Sequence, residues 1–291
     1  MKEITLVEKY AKDDPSTLED YAEELVQKVE VIVAAGGSQA ALAAKEVTEE
    51  QEPELAKRKP VVFTTVQDPS PNGLNLVKYL SAPGGNLTGM AGQTSELDPI
   101  RLEMLKELLT LTSGSNVGVL LKRGRAREDA QYQSFEDKAD DLDLNLIPKN
   151  TSTVNRISKA FEYFTKRKAR GVVVAADSFF NNNRKEVIDA AKDNRVPTIY
   201  QWQEFVQAGG LISYGPSILE AYQKAGEYVN SILFDNKKPG QMPCSSPSQY
   251  YLVMNYNTAK DLGIKPPSQL LGIDVELVHE AAQPVKRRSR P

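Results

Sequence analysis

Apolar residues fall along this chain in two alternating rhythms. Short, nearly unbroken runs such as VEVIVAA at 29–35, VVFTTV at 61–66, NVGVLL at 116–121 and GVVVAA at 171–176 alternate with longer stretches in which apolar residues return every three or four positions. The first rhythm predicts buried strands and the second predicts amphipathic helices. EITLVE at 3–8 alternates and reads as a strand; Pro15 and Ser16 then open a helix whose face carries Leu18, Tyr21, Leu25 and Val26. A helix over 38–58 and a strand over 59–66 follow. From 116 the scheme repeats: strand NVGVLLKRG, helix EDAQYQSFEDKADDLDL, strand NLIPKN, helix VNRISKAFEYFTKRK, strand GVVVAADS, helix NRKEVIDAAKDN and strand VPTIYQW. SILEAYQKAGEYVNSILFDNKKPG is a further amphipathic helix, and SQYYLVMNYNTAKDLGI gives a strand and a short helix. Strands with continuous apolar cores, alternating with helices, predict an α/β protein with parallel sheets covered on both faces.

The run VIVAAGGSQAALAAKEV…KPVVFTTV is echoed by VVVAADSFFNNNRKEVIDAAKDNRVPTIYQW, with strand, polar turn, helix and strand in the same order. This predicts two similar lobes. The turn-rich stretches 82–99 and 208–217 read as crossovers, giving a first lobe of 1–91 plus 217–240, a second lobe of 92–216 plus 241–279, and a basic disordered tail, 280–291. Gly92, Gly215 and Pro216 read as hinge residues, the Gly-Pro pair setting a sharp chain reversal.

A chain of 291 residues, 40% of them hydrophobic, has enough apolar material for two cores. A net charge of −3 points to neither nucleic acid nor an anionic membrane surface. No apolar run reaches membrane-spanning length, and the first residues lack the basic, apolar and small-residue regions of a signal peptide. Cys244 has no second cysteine to pair with and reads as an inert thiol, while His279, the one histidine, is the single position open to a Ser-His-Asp triad or a histidine-rich zinc site. The expectation is therefore no catalytic residue, no metal and no cofactor. The acidic runs TEEQEPE and KADDLD read as solvated helix faces.

Candidate site residues gather where strands end. Gly36-Gly37-Ser38-Gln39 matches neither nucleotide-phosphate loop pattern, yet two glycines before a helix, with Ser38 able to cap it, favour a carboxylate. Asp177 ends the strand VVVAAD at the equivalent place; it is suited to a ligand ammonium or to capping the next helix. Asp68, before Pro69, either contacts ligand or shapes the turn. Phe179, Phe180, Tyr200, Trp202 and Tyr214 follow strand ends, where open α/β sheets place their crevices, and each reads as either a stacking ring or core. Of these Phe179, Trp202 and Tyr214 are taken as ligand-binding, Trp202 because its neighbours Gln201 and Gln203 are polar.

Five segments carry a family likeness: VIVAAGGSQAALAAK, KPVVFTTVQDPSPNGLNLVKYLSAPGGNLTG, IRLEMLKELLTL, VPTIYQWQEFVQAGGLISYGPS and YYLVMNYNTAKDLGIKPPSQLL. Together, in order across about 1–273, they resemble the ABC-transporter substrate-binding proteins of the tryptophan/tyrosine-type family, which have the type I periplasmic-binding-protein fold. The resemblance implies two Rossmann-like lobes joined by a multi-strand hinge, closing on a small ligand such as an aromatic or branched amino acid or a related carboxylate. It also implies an ABC permease as partner and a periplasmic or extracytoplasmic location. The segment EITLVEKYAKDDP resembles a part of the family that follows a first strand and helix, so the first lobe is expected to lack these, through truncation or because a partner chain supplies them. With no signal peptide a genuine start implies the cytoplasm, and the alternative is then a cytoplasmic ligand sensor or regulatory protein of the same fold. An α/β enzyme such as a small-molecule transferase is the third reading.

Overall fold

The computed structural model describes residues 4–11, 14–92, 95–122 and 126–279, and the expected tail lies outside them. In chain order the elements are α1 (Leu18–Lys28), β1 (Ile32–Ala34), α2 (Ser38–Gln51), β2 (Val61–Val66) and β3 (Leu87–Ala91), then α3 (Asp98–Leu108), β4 (Ser115–Leu121), α4 (Ala126–Asp141), β5 (Leu144–Asn150) and α5 (Ile157–Lys166). Next come β6 (Gly171–Val174), α6 (Ser178–Asn182), α7 (Arg184–Asp193), β7 (Thr198–Tyr200), α8 (Gln203–Gln207) and β8 (Ile212–Pro216). The chain ends with α9 (Ile218–Phe234), β9 (Tyr250–Asn255), α10 (Tyr256–Asp261), β10 (Gln269–Leu270), β11 (Ile273–Asp274) and β12 (Glu276–Val278). These elements form two compact units, Met1–Gln93 with Ser217–Ser248 and Thr94–Pro216 with Gln249–Pro291.

Unit 1 is built on a parallel sheet of order β1-β2-β3. β2 reads as a continuous apolar run because its side chains are covered on both faces: Val61 and Phe63 join the core formed with α1 and α2, while Val62 packs with Ala225, Tyr228 and Met242. Ala41 and Ala44 on α2 and Ala22 on α1 are small enough for these helices to lie close. β3 arises inside the stretch expected to be a turn-rich crossover. Its glycine is needed there: Gly89 has φ of 154°, and a Cβ would lie 2.1 Å from the Phe63 carbonyl oxygen of β2.

Three expectations for this unit are corrected. Within the expected strand EITLVE the described residues, 4–8, form no strand: residues 4–11 are irregular, and Ile4 and Leu6 are 53% and 73% exposed. Alternation alone is not enough, because a strand needs a neighbour to take its ladder hydrogen bonds. The helix over 38–58 stops at Gln51, where Pro53 turns the preceding residue away from helical geometry. Residues 241–248, expected in the second lobe, belong to unit 1, where Ser245 N–H donates to the Gly89 carbonyl and the Ser245 carbonyl accepts from Ala91 N–H.

Unit 2 carries a seven-stranded sheet of order β12-β9-β8-β7-β6-β4-β5 and a two-stranded hairpin, β10-β11. Within the seven-stranded sheet all pairs are parallel except β8 with β9, and the hairpin is antiparallel. The sequence reading missed β10, β11 and β12, each two or three residues long. Gly215 and Pro216 are not a chain reversal; they are the last residues of β8, paired with Tyr251 and Tyr250. Glycine is required at 215 because a Cβ would stand 1.9 Å from the Gln201 carbonyl oxygen. Among the described residues no helix is long and apolar enough to cross a membrane.

Candidate functional site

In unit 1 the turn after β1 is set by two glycines with positive φ, 110° at Gly36 and 92° at Gly37. Gly37 occupies the N-cap position of α2 and Ser38 is already the first helical residue, so Ser38 does not cap the helix as expected, and no side chain does. Gln39 lies in the first turn beside it, half-buried. At the end of β2 the register against β3 shifts between Phe63 and Val66, with Thr65 at a φ of 45°. Asp68 follows. Its Oδ1 accepts from Ser70 N–H at 3.0 Å and its carbonyl from Leu74 N–H at 2.9 Å, so the side chain helps shape the loop. Gly92 follows β3, and its N–H donates to the Val66 carbonyl at 2.5 Å.

In unit 2, β4, β6, β7 and β8 run side by side and bring their carboxyl ends together. Asp177, after β6, caps α6: its Oδ1 accepts from Phe179 N–H at 2.7 Å. The same oxygen lies 3.9 Å from the ammonium of Lys122, the residue after β4, and that ammonium stands 5.4 Å from the centre of the Phe179 ring. Gln201, fully buried after β7, donates from Nε2 to the Asp177 carbonyl at 3.3 Å. The aromatic candidates separate by burial. Phe180 is fully covered, and Tyr200 stacks on Phe205 at 4.6 Å, so both belong to the core. Phe179 is half-buried, and Tyr214 is 8% exposed with its ring tilted against Tyr250. Trp202 is 4% exposed, and its indole N–H has no hydrogen-bond partner.

That orphan donor has company. Asn181 Oδ1, Gln201 Oε1, Glu204 Oε2 and Ser213 Oγ are also buried without partners, all on the elements that follow or form β6, β7 and β8. Buried polar atoms are almost always paired, by protein, water or ligand, and Thr64 Oγ1 and Thr151 Oγ1, elsewhere in the fold, are in the same position. Burial pushes the Glu204 carboxyl above its ordinary range, against the opposing pull of a hydrogen bond from its own backbone and of the Arg184 charge.

Behind these strand ends lies a buried ion pair that sequence reasoning missed. Arg101 Nη1 donates to Asp98 Oδ1 at 2.5 Å, and Arg101 Nε donates to the Tyr214 carbonyl at 2.7 Å. Asp98 Oδ2 accepts from Gln131 Nε2 at 2.6 Å and from Ala176 N–H at 3.4 Å. The pair therefore ties the end of β6 to β8. Burial pushes the Asp98 carboxyl up and the Arg101 guanidinium down, and their mutual attraction opposes both shifts. One signal was readable: Arg101 shares its helical face with Met104, Leu105 and Leu108, an arginine where the spacing demands an apolar residue. Lys122 gave no such signal.

Other chemistry is thin. Among the described residues no group of three or more His, Cys, Asp or Glu is placed to hold a metal. Cys244 is held quiet by burial, which pushes its thiol up to about 11. A cavity of about 580 Å³ opens beside Lys192, Arg195, Thr198, Gly210, Leu211 and Asp261. It lies where β7 and β8 begin, at the opposite end of the sheet from Asp177 and Trp202.

The model of the family described as ABC transporter substrate binding protein matches residues 1–278. Among solved structures, a conserved domain protein from Vibrio cholerae is 24% identical with a TM-score of 0.75, over 91% of this chain and 84% of that one. An ABC domain from Streptococcus pneumoniae in complex with L-Trp is 22% identical with a TM-score of 0.74, over 91% and 86%. The ligand-free, open form of CD0873, a substrate binding protein with adhesive properties from Clostridium difficile, is 22% identical with a TM-score of 0.59, over 92% and 84%. At these identities the likeness is one of fold. No curated protein matches the sequence.

Proposed function

We propose that this chain, which belongs to the ABC transporter substrate-binding protein family, binds a small amino acid, aromatic or branched, or a related carboxylate, and delivers it to a permease. The family is one of binding proteins, not enzymes, so the site has only to recognise and release. On unit 2, Asp177 receives the ligand's ammonium, and Phe179, Trp202 and Tyr214 flank its apolar body. On unit 1, Gly36, Gly37, Ser38 and Gln39 surround the uncapped amides of α2, a second place that favours an acid group such as that of a related carboxylate, and Asp68 borders them. Gly92, Gly215 and Pro216 are the proposed hinge residues, close to where the chain passes from one unit to the other. In keeping with the family, the protein works outside the cytoplasmic membrane.

The observation that carries the ligand class is the half-buried Asp177 carboxylate, with the buried, unpartnered Gln201 Oε1 and Trp202 Nε1 on the neighbouring strand end. Isothermal titration with the twenty amino acids tests it. Replacing Asp177 by Asn removes a charge-assisted hydrogen bond of about 2 kcal/mol, so affinity should fall roughly thirty-fold. Glu50→Ala, on the outer part of α2, should leave it unchanged. Equal affinities for Asp177→Asn and Glu50→Ala would remove Asp177 from the site.

A further inference from the structure

The Asp177 carboxylate does not face its ligand alone. Lys122 reaches it from the neighbouring strand end, across the Phe179 ring, at 3.9 Å from Oδ1. This separation is longer than a direct hydrogen bond, and both side chains keep part of their surface open, 20% for Lys122 and 24% for Asp177. The two charges are thus neighbours that still meet solvent, one positive and one negative, on the edge that carries the orphaned Gln201 Oε1 and Trp202 Nε1.

We infer that Lys122 and Asp177 form a paired-charge platform that selects zwitterions, taking the ligand's carboxylate on Lys122 and its ammonium on Asp177. This deepens the proposed amino-acid reading and rests on it. An α-amino acid carries its opposite charges on two groups attached to one carbon, so one molecule lies antiparallel across such a pair with both ends attracted. An amine keeps the attraction to Asp177 but meets Lys122 unfavourably. A carboxylate keeps the attraction to Lys122 and meets Asp177 unfavourably. Selection comes from the repulsive half of each mismatch as much as from the attractive half of the match. The Phe179 ring beneath the ammonium of Lys122 steadies it over the site.

The test uses two sets of probes: L-tryptophan, tryptamine and indole-3-propionate, and L-leucine, 3-methylbutylamine and 4-methylpentanoate. Each is titrated calorimetrically into the wild-type chain, Lys122→Met and Asp177→Asn. Lys122 forms a partly exposed ion pair worth little to folding, so Lys122→Met should melt with the wild type. In the wild type the amino acid should bind at least about tenfold tighter than either of its analogues. Lys122→Met should narrow the gap between amino acid and amine by about tenfold, and Asp177→Asn should narrow the gap between amino acid and acid. A Lys122→Met protein that keeps the wild-type ratio, while Asp177→Asn still loses amino-acid affinity, overturns the platform and leaves the amino-acid reading standing. Failure of both amino acids and of all other natural amino acids to bind the wild type overturns that reading and the platform with it.

Discussion

Asp177 carries two duties that different substitutions separate. Its carboxylate caps α6 through Phe179 N–H, and in the proposed site it also meets the ligand. Asparagine can cap a helix but carries no charge, whereas alanine does neither. Asp177→Asn should therefore melt with the wild type and bind weakly, while Asp177→Ala should bind weakly and also lose up to about 1 kcal/mol of stability. Glu204 offers a pH test at the same scale. Burial raises its folded pKa, so the stability it contributes is fully present below the ordinary glutamate range and is lost as pH rises through the raised value. Glu204→Gln should thus be more stable than the wild type near neutrality, with the difference vanishing in acid. Paired thermal melts across that range check it, and a constant difference would show that the group titrates alike in both states. The sequence exposed Asp177 because a carboxylate directly after VVVAA breaks the apolar run, but Lys122 only follows a strand in a basic stretch and looks like a solvated end.

At the scale of elements, long strands and helices were legible because their periodicity survives without knowledge of partners. What escaped was decided by neighbours. β3 lay in a glycine-rich segment because its backbone approaches β2 too closely for a Cβ at Gly89, and residues 4–8 alternate yet pair with no strand among the described residues. The strand-end frame itself depends on two features of this kind. Gly215→Ala would drive a methyl group into the Gln201 carbonyl and should cost about 3 kcal/mol or more, read as a lowered denaturant midpoint. Arg101→Met leaves Asp98 buried and uncompensated and should cost about 3–5 kcal/mol. Adding Asp98→Leu to it should recover part of that loss, since a buried pair replaced as a whole costs less than one broken in half. A double variant weaker than Arg101→Met would show that the hydrogen bonds of Asp98 to Gln131 and Ala176 outweigh its charge.

For the whole molecule, the near-repeat of strand, turn, helix and strand announced two α/β units, and the chain passes between them after Gln93, Pro216 and Ser248. The third passage falls later than the sequence suggested, because 241–248 is captured by backbone pairing with β3, which leaves no trace in side-chain pattern. The candidate site was legible only in outline: strand ends mark where open α/β sheets form crevices, while the buried Asp98–Arg101 tie and the orphaned polar atoms emerge from contacts between distant segments. The proposed function requires first that this molecule bind an amino acid. Its most direct test is the thermal melt of the purified chain against each of the twenty amino acids. A ligand at a hundredfold over its dissociation constant adds about 2.7 kcal/mol, so one aromatic or branched amino acid should raise the midpoint selectively, and Asp177→Asn should lose most of that rise. A cooperative melt that no amino acid shifts would contradict the claim.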